Sequence, residues 1–367
     1  LFTASDGTTK LAHEIESYDS VSGALTVWVS TDLSAALDTK LFLYYGNAGA
    51  ANQQDAENVW DTNYVGVWHL DDVPTGTPGD IVDSTSNNND GTTEGSMNAA
   101  DLVNAQIGTG LDFDEVDDLI RIPDSASLDS AAAEATFELW VWFDDAADGD
   151  SQMIMSSSNR YSEIDGYEWA SQGGGDHFFY PDAMTPDGNY NLGANPYTNQ
   201  QWHHIAATMD FATSEAIIYV DGSPMTFTYE GVPGSWTNLA SSDDLLWGGN
   251  PDRLTRFFDG MMDEIRVSNI ARSQEWIKTS VNNQSNPGTF FTLGTEEVRD
   301  LALTDINEDD TGPAGDTVLS MLTSGGGDLI TDVDTGALEG IAVTGANNAN
   351  GAWQYDADAN GTWLAFG

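Results

Sequence analysis

The side chains able to do chemistry in this chain are carboxylates and aromatic rings. Asp and Glu total 60 against 10 Lys and Arg, giving a formal charge of −50, and cysteine is absent. Thiol catalysis, disulfides and cysteine-ligated zinc are therefore excluded. Asp outnumbers Glu 43 to 17, and Asp is the short, hard-oxygen ligand that calcium sites draw from loops. The same charge equally suits a solvated halophilic surface. A phosphate backbone is repelled by such a surface, so nucleic acid is excluded as a partner, and anionic membranes are disfavoured on the same ground.

The aromatics gather in two places. In Phe137–Phe143 a period of two sends Phe137, Leu139, Val141 and Phe143 to one face and Glu138, Trp140 and Trp142 to the other. Two indoles beside a carboxylate can stack on sugar rings, or they are core if that face is covered; Trp140 is the candidate ligand residue. Residues 156–200 contain an aromatic, Gly-rich stretch from Tyr167 to Tyr180, bounded by Pro181 and Pro186. Loops of this kind on a rigid scaffold carry function, which makes Trp169, His177, Tyr180, Tyr190 and Tyr197 candidates for a ligand surface. The alternative is a loop packed on its own aromatics. His203 and His204 are adjacent and point to opposite faces of a strand, so they cannot share a metal and read as structural.

The elements that position these groups are short strands. Runs such as Thr26–Val29, Leu41–Tyr45, Val65–Leu70, Phe137–Phe143, His203–Met209, Ala216–Val220 and Met262–Val267 are broken by Gly, Asn, Asp and Pro, the pattern of an all-β sandwich. Asp221-Gly222 after one such run signals a type I′ hairpin. One helix is predicted, over Ser273–Val281, with Ser273 as N-cap and Glu275 in the first turn. The longest apolar stretch is seven residues and contains Glu138, too short to insert in a membrane. Texture divides the chain into a small β unit (1–58), a long sandwich-like region (59–297) and a Gly-, Asp- and Asn-rich unit (298–367). The chain starts on Leu1, so it reads as a fragment or processed product, and both outer units read as partial.

The central region resembles the laminin-G-like, concanavalin-type lectin superfamily. The likeness rests on Val67-Trp68-His69-Leu70-Asp71-Asp72, Asp83 to Gly91, Leu111 to Asp118 with Ile122-Pro123-Asp124, Gln201 to Ala206, Tyr219 to Gly222 and Phe258 to Val267, in the family's order. It implies a jelly roll of two stacked antiparallel sheets. It also implies a calcium ion where the first and last strands meet, on Asp71, Asp83, the Asn88–Gly91 turn with Asp90, and Asp263. The competing reading makes Asp83 and Asp90 ordinary turn-formers. Glu163-Ile164-Asp165-Gly166-Tyr167-Glu168 is similar to the catalytic pattern of β-glucanases on the same sandwich. There Glu163 would be nucleophile and Glu168 acid/base, about 5–5.5 Å apart, but Gly166 and the polar flank suit a buried strand poorly.

Phe2 to Lys10, His13-Glu14-Ile15-Glu16 and Leu43-Tyr44-Tyr45-Gly46-Asn47 make the N-terminal unit look like the second half of an uncharacterised β-domain family that often sits upstream of lectin-like domains. Through Asp305 to Asp310, Thr331 to Gly336, Ile341 to Ala346, Gly351 to Tyr355 and Trp363 to Gly367, the C-terminal unit is similar to the cadherin-like or immunoglobulin-like repeats of giant RTX-type adhesins, which implies junction calcium on Asp305, Asn307, Asp309, Asp310, Asp332 and Asp334. The alternative there is a solvated acidic linker. Taken together, the expectation is a non-catalytic, calcium-stabilised segment of a secreted cell-surface adhesin. Its ligand would be a glycan or matrix partner, with neighbouring adhesin domains or chains as further partners. Two other classes stay open: a retaining glycoside hydrolase, and a structural spacer or filament subunit whose partial ends exchange strands.

Overall fold

The computed structural model describes residues 1–47, 49–130, 134–144, 152–157, 166–172, 176–181, 189–194, 197–210, 212–213, 215–226, 228–230, 243–250 and 256–296, with short pieces at 316–317, 354–355, 362 and 364–365. Two compact units are present, Leu1–Phe291 and Thr292–Gly367. In the second, Gln354–Tyr355 pairs antiparallel with Leu364–Ala365. Asp305, Asn307, Asp309, Asp310, Asp332 and Asp334 lie outside the described residues, as do Glu163 and Asp165.

The first unit is built from strands in chain order: β1 Phe2–Thr3, β2 Lys10–Leu11, β3 His13–Tyr18, β4 Leu25–Val29, β5 Phe42–Leu43, β6 Tyr64–Trp68 and β7 Thr92–Glu94. Then come β8 Leu102–Asn104, β9 Thr109–Asp114, β10 Leu119–Ile122, β11 Glu134–Phe143, β12 Met153–Ser156, β13 Tyr167–Gln172, β14 Asp176–Pro181 and β15 Asn189–Ala194. The last are β16 Trp202–Asp210, β17 Glu215–Val220, β18 Ser223–Pro224, β19 Thr228–Glu230, β20 Leu245–Trp247 and β21 Asp259–Ser268, followed by helix α1, Gln274–Ser285.

Two eight-stranded antiparallel sheets form the sandwich. One runs β18-β17-β16-β11-β21-β9-β8, with β6 also on β21; the other runs β19-β15-β14-β13-β12-β20-β10-β7. Alternation decides their contact. Phe137, Leu139, Val141 and Phe143 of β11 join Trp68, Phe113, Trp169, Phe179 and Trp247 in one continuous core. Each such side chain contributes about 1.5–3 kcal/mol on burial. Asp221 and Gly222 both take positive φ (50° and 72°), as a type I′ turn requires, and Val220 pairs with Ser223 across it.

Three features govern the outer face of the first sheet. Glu264 adopts φ 54°, and the register to β11 skips between Glu138 and Trp140. This bulge directs Asp263, Glu264 and Arg266 outward together. Helix α1 then lies over that face: Ser273 caps it by accepting the Trp276 N–H, and Ile277 packs on Ala206 and Tyr219. Finally, the β3–β4 hairpin reaches the same face with Glu14, Glu16 and Trp28, through contacts to His69 and Arg266.

Candidate functional site

The face predicted to carry Trp140 is covered. Trp140 is buried and donates its indole N–H to Gln284 Oε1 of α1 at 2.5 Å, so it belongs to the helix–sheet contact and not to a ligand surface. Trp169 and Tyr197 are corrected in the same way. The segment read as an aromatic loop supplies β13, β14 and β15, and Trp169 points into the core against Phe179 at 5.6 Å. Tyr197 is buried, stacked on Phe143 at 5.0 Å. His177, Tyr180 and Tyr190 lie on β14 and β15, opposite Ser171, Glu168 and Phe179; their side chains fall outside the described residues. His203 and His204 do diverge, His203 to Asp221 at 2.8 Å and His204 to Glu138 at 3.6 Å. Glu168 is buried and accepts the Asn250 amide at 2.8 Å.

One open row of the outer face carries two indoles. Asp112 of β9, Met261 of β21, Trp142 of β11 and Trp202 of β16 are direct cross-strand neighbours, and all four are half-buried. The Trp142 and Trp202 rings sit 5.9 Å apart at 61°. Trp142 donates its indole N–H to Asp144 at 3.1 Å. Burial raises the Asp112 carboxyl, with Asp144 and Asp101 adding repulsion. The row pairs two apolar ring surfaces with acceptors able to take hydroxyl protons. Trp142 stands on the predicted strand face; Trp202 follows four intervening strands later in the sequence, and only the β11–β16 register joins them.

Beside the row is an acidic turn. Asp114, Asp117 and Asp118 bring carboxylate oxygens within 4.8 Å of one another. Asp118 is 2% exposed and its Oδ1 has no partner; burial and Asp114 push it up to about 6.

The predicted calcium set is not assembled. Asp83 accepts from the N–H groups of Val67, Thr85 and Asn89 and from the Thr85 hydroxyl, at 2.8–3.0 Å. Asp90 accepts the Asp83 N–H, Asn88 holds the turn at φ 54°, and Gly91 bridges to Ile81 with Ile120 packed against it. These groups build the Asn-rich turn, with both Asp83 oxygens engaged in its hydrogen bonds. Asp71 and Asp263 face a different cluster.

That cluster lies under the β3–β4 hairpin. His69 is buried, with Nδ1 2.7 Å from Glu264 Oε1 and 3.9 Å from Glu16 Oε2, and Nε2 3.4 Å from Glu14 Oε2. Glu14 accepts from Ser84 and the Trp60 indole, Glu16 from the Trp28 indole at 2.8 Å. The His69 ring stacks on Trp28 at 5.6 Å. Arg266 lies over Trp28 and Trp60 and donates to Glu264 at 2.5 Å. Burial works against every charge here. It raises Asp263 well above the usual range, with Glu264 adding to it, and pushes Glu16 up to about 7. For Glu264, His69 and Arg266 outweigh burial and hold the carboxyl down.

The sheet order and the covered outer face define a concanavalin-type β-sandwich carrying an accessory β unit. Residues 114–278 match the Laminin_G_3 family of the concanavalin A-like lectin/glucanases superfamily, and residues 1–85 match a domain of unknown function, DUF2341. No curated protein matches the chain. Among solved structures, it is similar to the receptor-binding domain of botulinum neurotoxin C/D mosaic serotype, at 10% identity and TM-score 0.46, over 60% of this chain and 51% of that one. The binding domain of Paraclostridial Mosquitocidal Protein 1 matches at 12% identity and TM-score 0.46, over 60% and 52%. Trypanosoma rangeli sialidase matches at 14% and 0.46, over 62% and 34%. The match therefore spans about half of each toxin domain and a third of the sialidase.

Proposed function

We propose that the sandwich is a non-catalytic sugar-binding domain that holds its ligand on the Trp202–Trp142–Met261–Asp112 row. The observation carrying this reading is that this row, with its two indoles, stays half-open on a sheet face that α1 closes over Trp140 and the β3–β4 hairpin closes over His69. Indole faces take the C–H side of a sugar ring, and Asp112 and Asp144 take its hydroxyls. Calcium dependence belongs to the same reading. The Asp114–Asp117–Asp118 turn offers the all-oxygen set a hard cation needs, and the orphaned Asp118 oxygen is the buried donor that supports it. The wider role is a segment of a secreted cell-surface adhesin, facing glycan or matrix, with neighbouring adhesin domains on the same chain. The −50 charge and absence of cysteine suit a protein that folds on meeting millimolar calcium outside the cell.

The test is a glycan-array screen of the whole chain in calcium, repeated with chelator. A hit should weaken about thirtyfold or more in Trp142→Ala or Trp202→Ala, the loss of about 2 kcal/mol that marks an interface hot spot. Binding that survives both substitutions overturns the assignment of the row, and binding indifferent to chelator overturns the calcium dependence.

A further inference from the structure

The cluster under the hairpin holds more acid than it can balance. Glu14, Glu16, Asp71, Asp263 and Glu264 are electrostatically linked there, against Arg266 and the imidazole of His69. Two of these carboxylates are incompletely used. The Glu16 side chain is 1% exposed and Asp263 is 0% exposed, yet Glu16 Oε1 and Asp263 Oδ1 have no hydrogen-bond partner. Buried polar atoms are almost always paired, so two orphan oxygens at one cluster point to a missing positive group.

We propose that this junction binds one divalent cation of the zinc or manganese class, through His69 Nδ1 and the carboxylates of Glu16 and Glu264, with the buried Asp263 carboxyl electrostatically linked to them. The donor set is the first argument. Imidazole with carboxylates selects such ions over calcium, which takes oxygen alone. Spacing is the second. One nitrogen or oxygen each from His69, Glu16 and Glu264 lies within 4.8 Å of the others. The present Nδ1 distances of 2.7 and 3.9 Å straddle the edge of about 3.3 Å for a tetrahedron around zinc at 2.0–2.2 Å.

The surrounding shell is the third argument. A metal-bound histidine donates its other ring N–H to a carboxylate that fixes the ring. His69 Nε2 faces Glu14, and Ser84 and Trp60 hold Glu14 in turn. Trp28 fixes Glu16 in the same manner. Gly108 completes the wall, because a Cβ there would stand 2.4 Å from Glu16 Oε1. Cation binding displaces the Nδ1 proton, which leaves to solvent, and it ties the hairpin to the sandwich through one ion.

The experiment uses the full chain, stripped with chelator, and titrates manganese alone and zinc alone. Manganese is expected to broaden the indole N–H signals of Trp28 and Trp60 at one equivalent. His69→Gln and Glu16→Gln should each weaken zinc at least tenfold, while calcium at equal concentration leaves the zinc isotherm unchanged. Broadening confined to Trp142 and Trp202 would place the ion at the acidic turn and overturn the junction site without touching the sugar-binding proposal. Absence of broadening at Trp28 and Trp60, unchanged affinity in both variants, or competition by calcium on equal terms also overturns it. The wild-type broadening decides the matter even if a variant fails to fold.

Discussion

Replacing Arg266 by Met tests how the hairpin is fastened to the sandwich. The guanidinium is 3% exposed, donates to Glu264 at 2.5 Å and lies 4.4 and 4.9 Å from the Trp28 and Trp60 ring centroids. Removing one partner of a buried ion pair costs about 3–5 kcal/mol, because the other charge stays in place. The two cation–π contacts, each about 0.5–2 kcal/mol, overlap with that loss, so about 4 kcal/mol is expected. For a unit of this size each kcal/mol moves the midpoint by about 2 °C, giving a fall of about 8 °C. The comparison is Arg121→Met. Arg121 pairs with Glu94 and Asp244 but is 31% exposed, and such pairs contribute about 0–1 kcal/mol. Both variants are measured by thermal unfolding with chelator present, following indole fluorescence. Glu264→Gln combined with Arg266→Met should recover part of the loss, since neither charge is then left alone. A fall no larger for Arg266→Met than for Arg121→Met would refute the reasoning.

Three further outcomes are expected. Trp169→Ala should lower stability by about 3–5 kcal/mol as a buried aromatic truncation, whereas Trp142→Ala should cost about 1 kcal/mol or less; denaturant midpoints compare them. Asp61 accepts two hydrogen bonds from Arg272, at 2.7 and 2.9 Å, which outweigh burial and hold its carboxyl below the usual range. A depressed folded value means stability present above the ordinary value of 3.8 and lost as pH falls through the folded one, so Asp61→Asn should flatten the acid limb of the stability–pH curve. Gly108→Ala should destabilise by more than Gly23→Ala. Both have positive φ, but Gly23 has nothing within 4 Å while Gly108 abuts Glu16; equal midpoints would mean that Glu16 moves aside freely.

What was legible in the sequence was local. The Ser273 cap, the Asp221-Gly222 turn and the alternation in Phe137–Phe143 each depend on a few neighbouring residues, and each stands as read. The stretch from Tyr167 to Tyr180 was misread because Gly173–Gly175 and Pro181 signal breaks, while the flanking pieces pair as β13 and β14 and bury Trp169. The assignment of Trp140 failed for a different reason. Alternation gives its face, but whether that face is wet depends on Gln284, 144 residues on. The same limit hid the junction cluster, whose members come from β3, the residue just after β6, and β21. A weak sign was present in His13-Glu14-Ile15-Glu16, where period two places two acids on one face of a hairpin.

The covering of the outer face also decides where a ligand is able to bind. A sandwich of this type offers two outer faces, and here the first is filled from two directions. α1 closes it from β11 to β17, through Gln284 and Ile277, and the hairpin closes it over β6 and the second half of β21. The Glu264 bulge marks the border, because it turns Asp263, Glu264 and Arg266 into the closed part while Met261, two residues earlier than Asp263, stays half-buried. Trp142 and Trp140 thus receive opposite roles although they share a strand face and a residue type. The fastening of the hairpin should therefore act on binding only through stability. Arg266→Met, assayed well below its midpoint, should leave sugar affinity within about twofold; a larger loss would mean that the row and the junction form a single site.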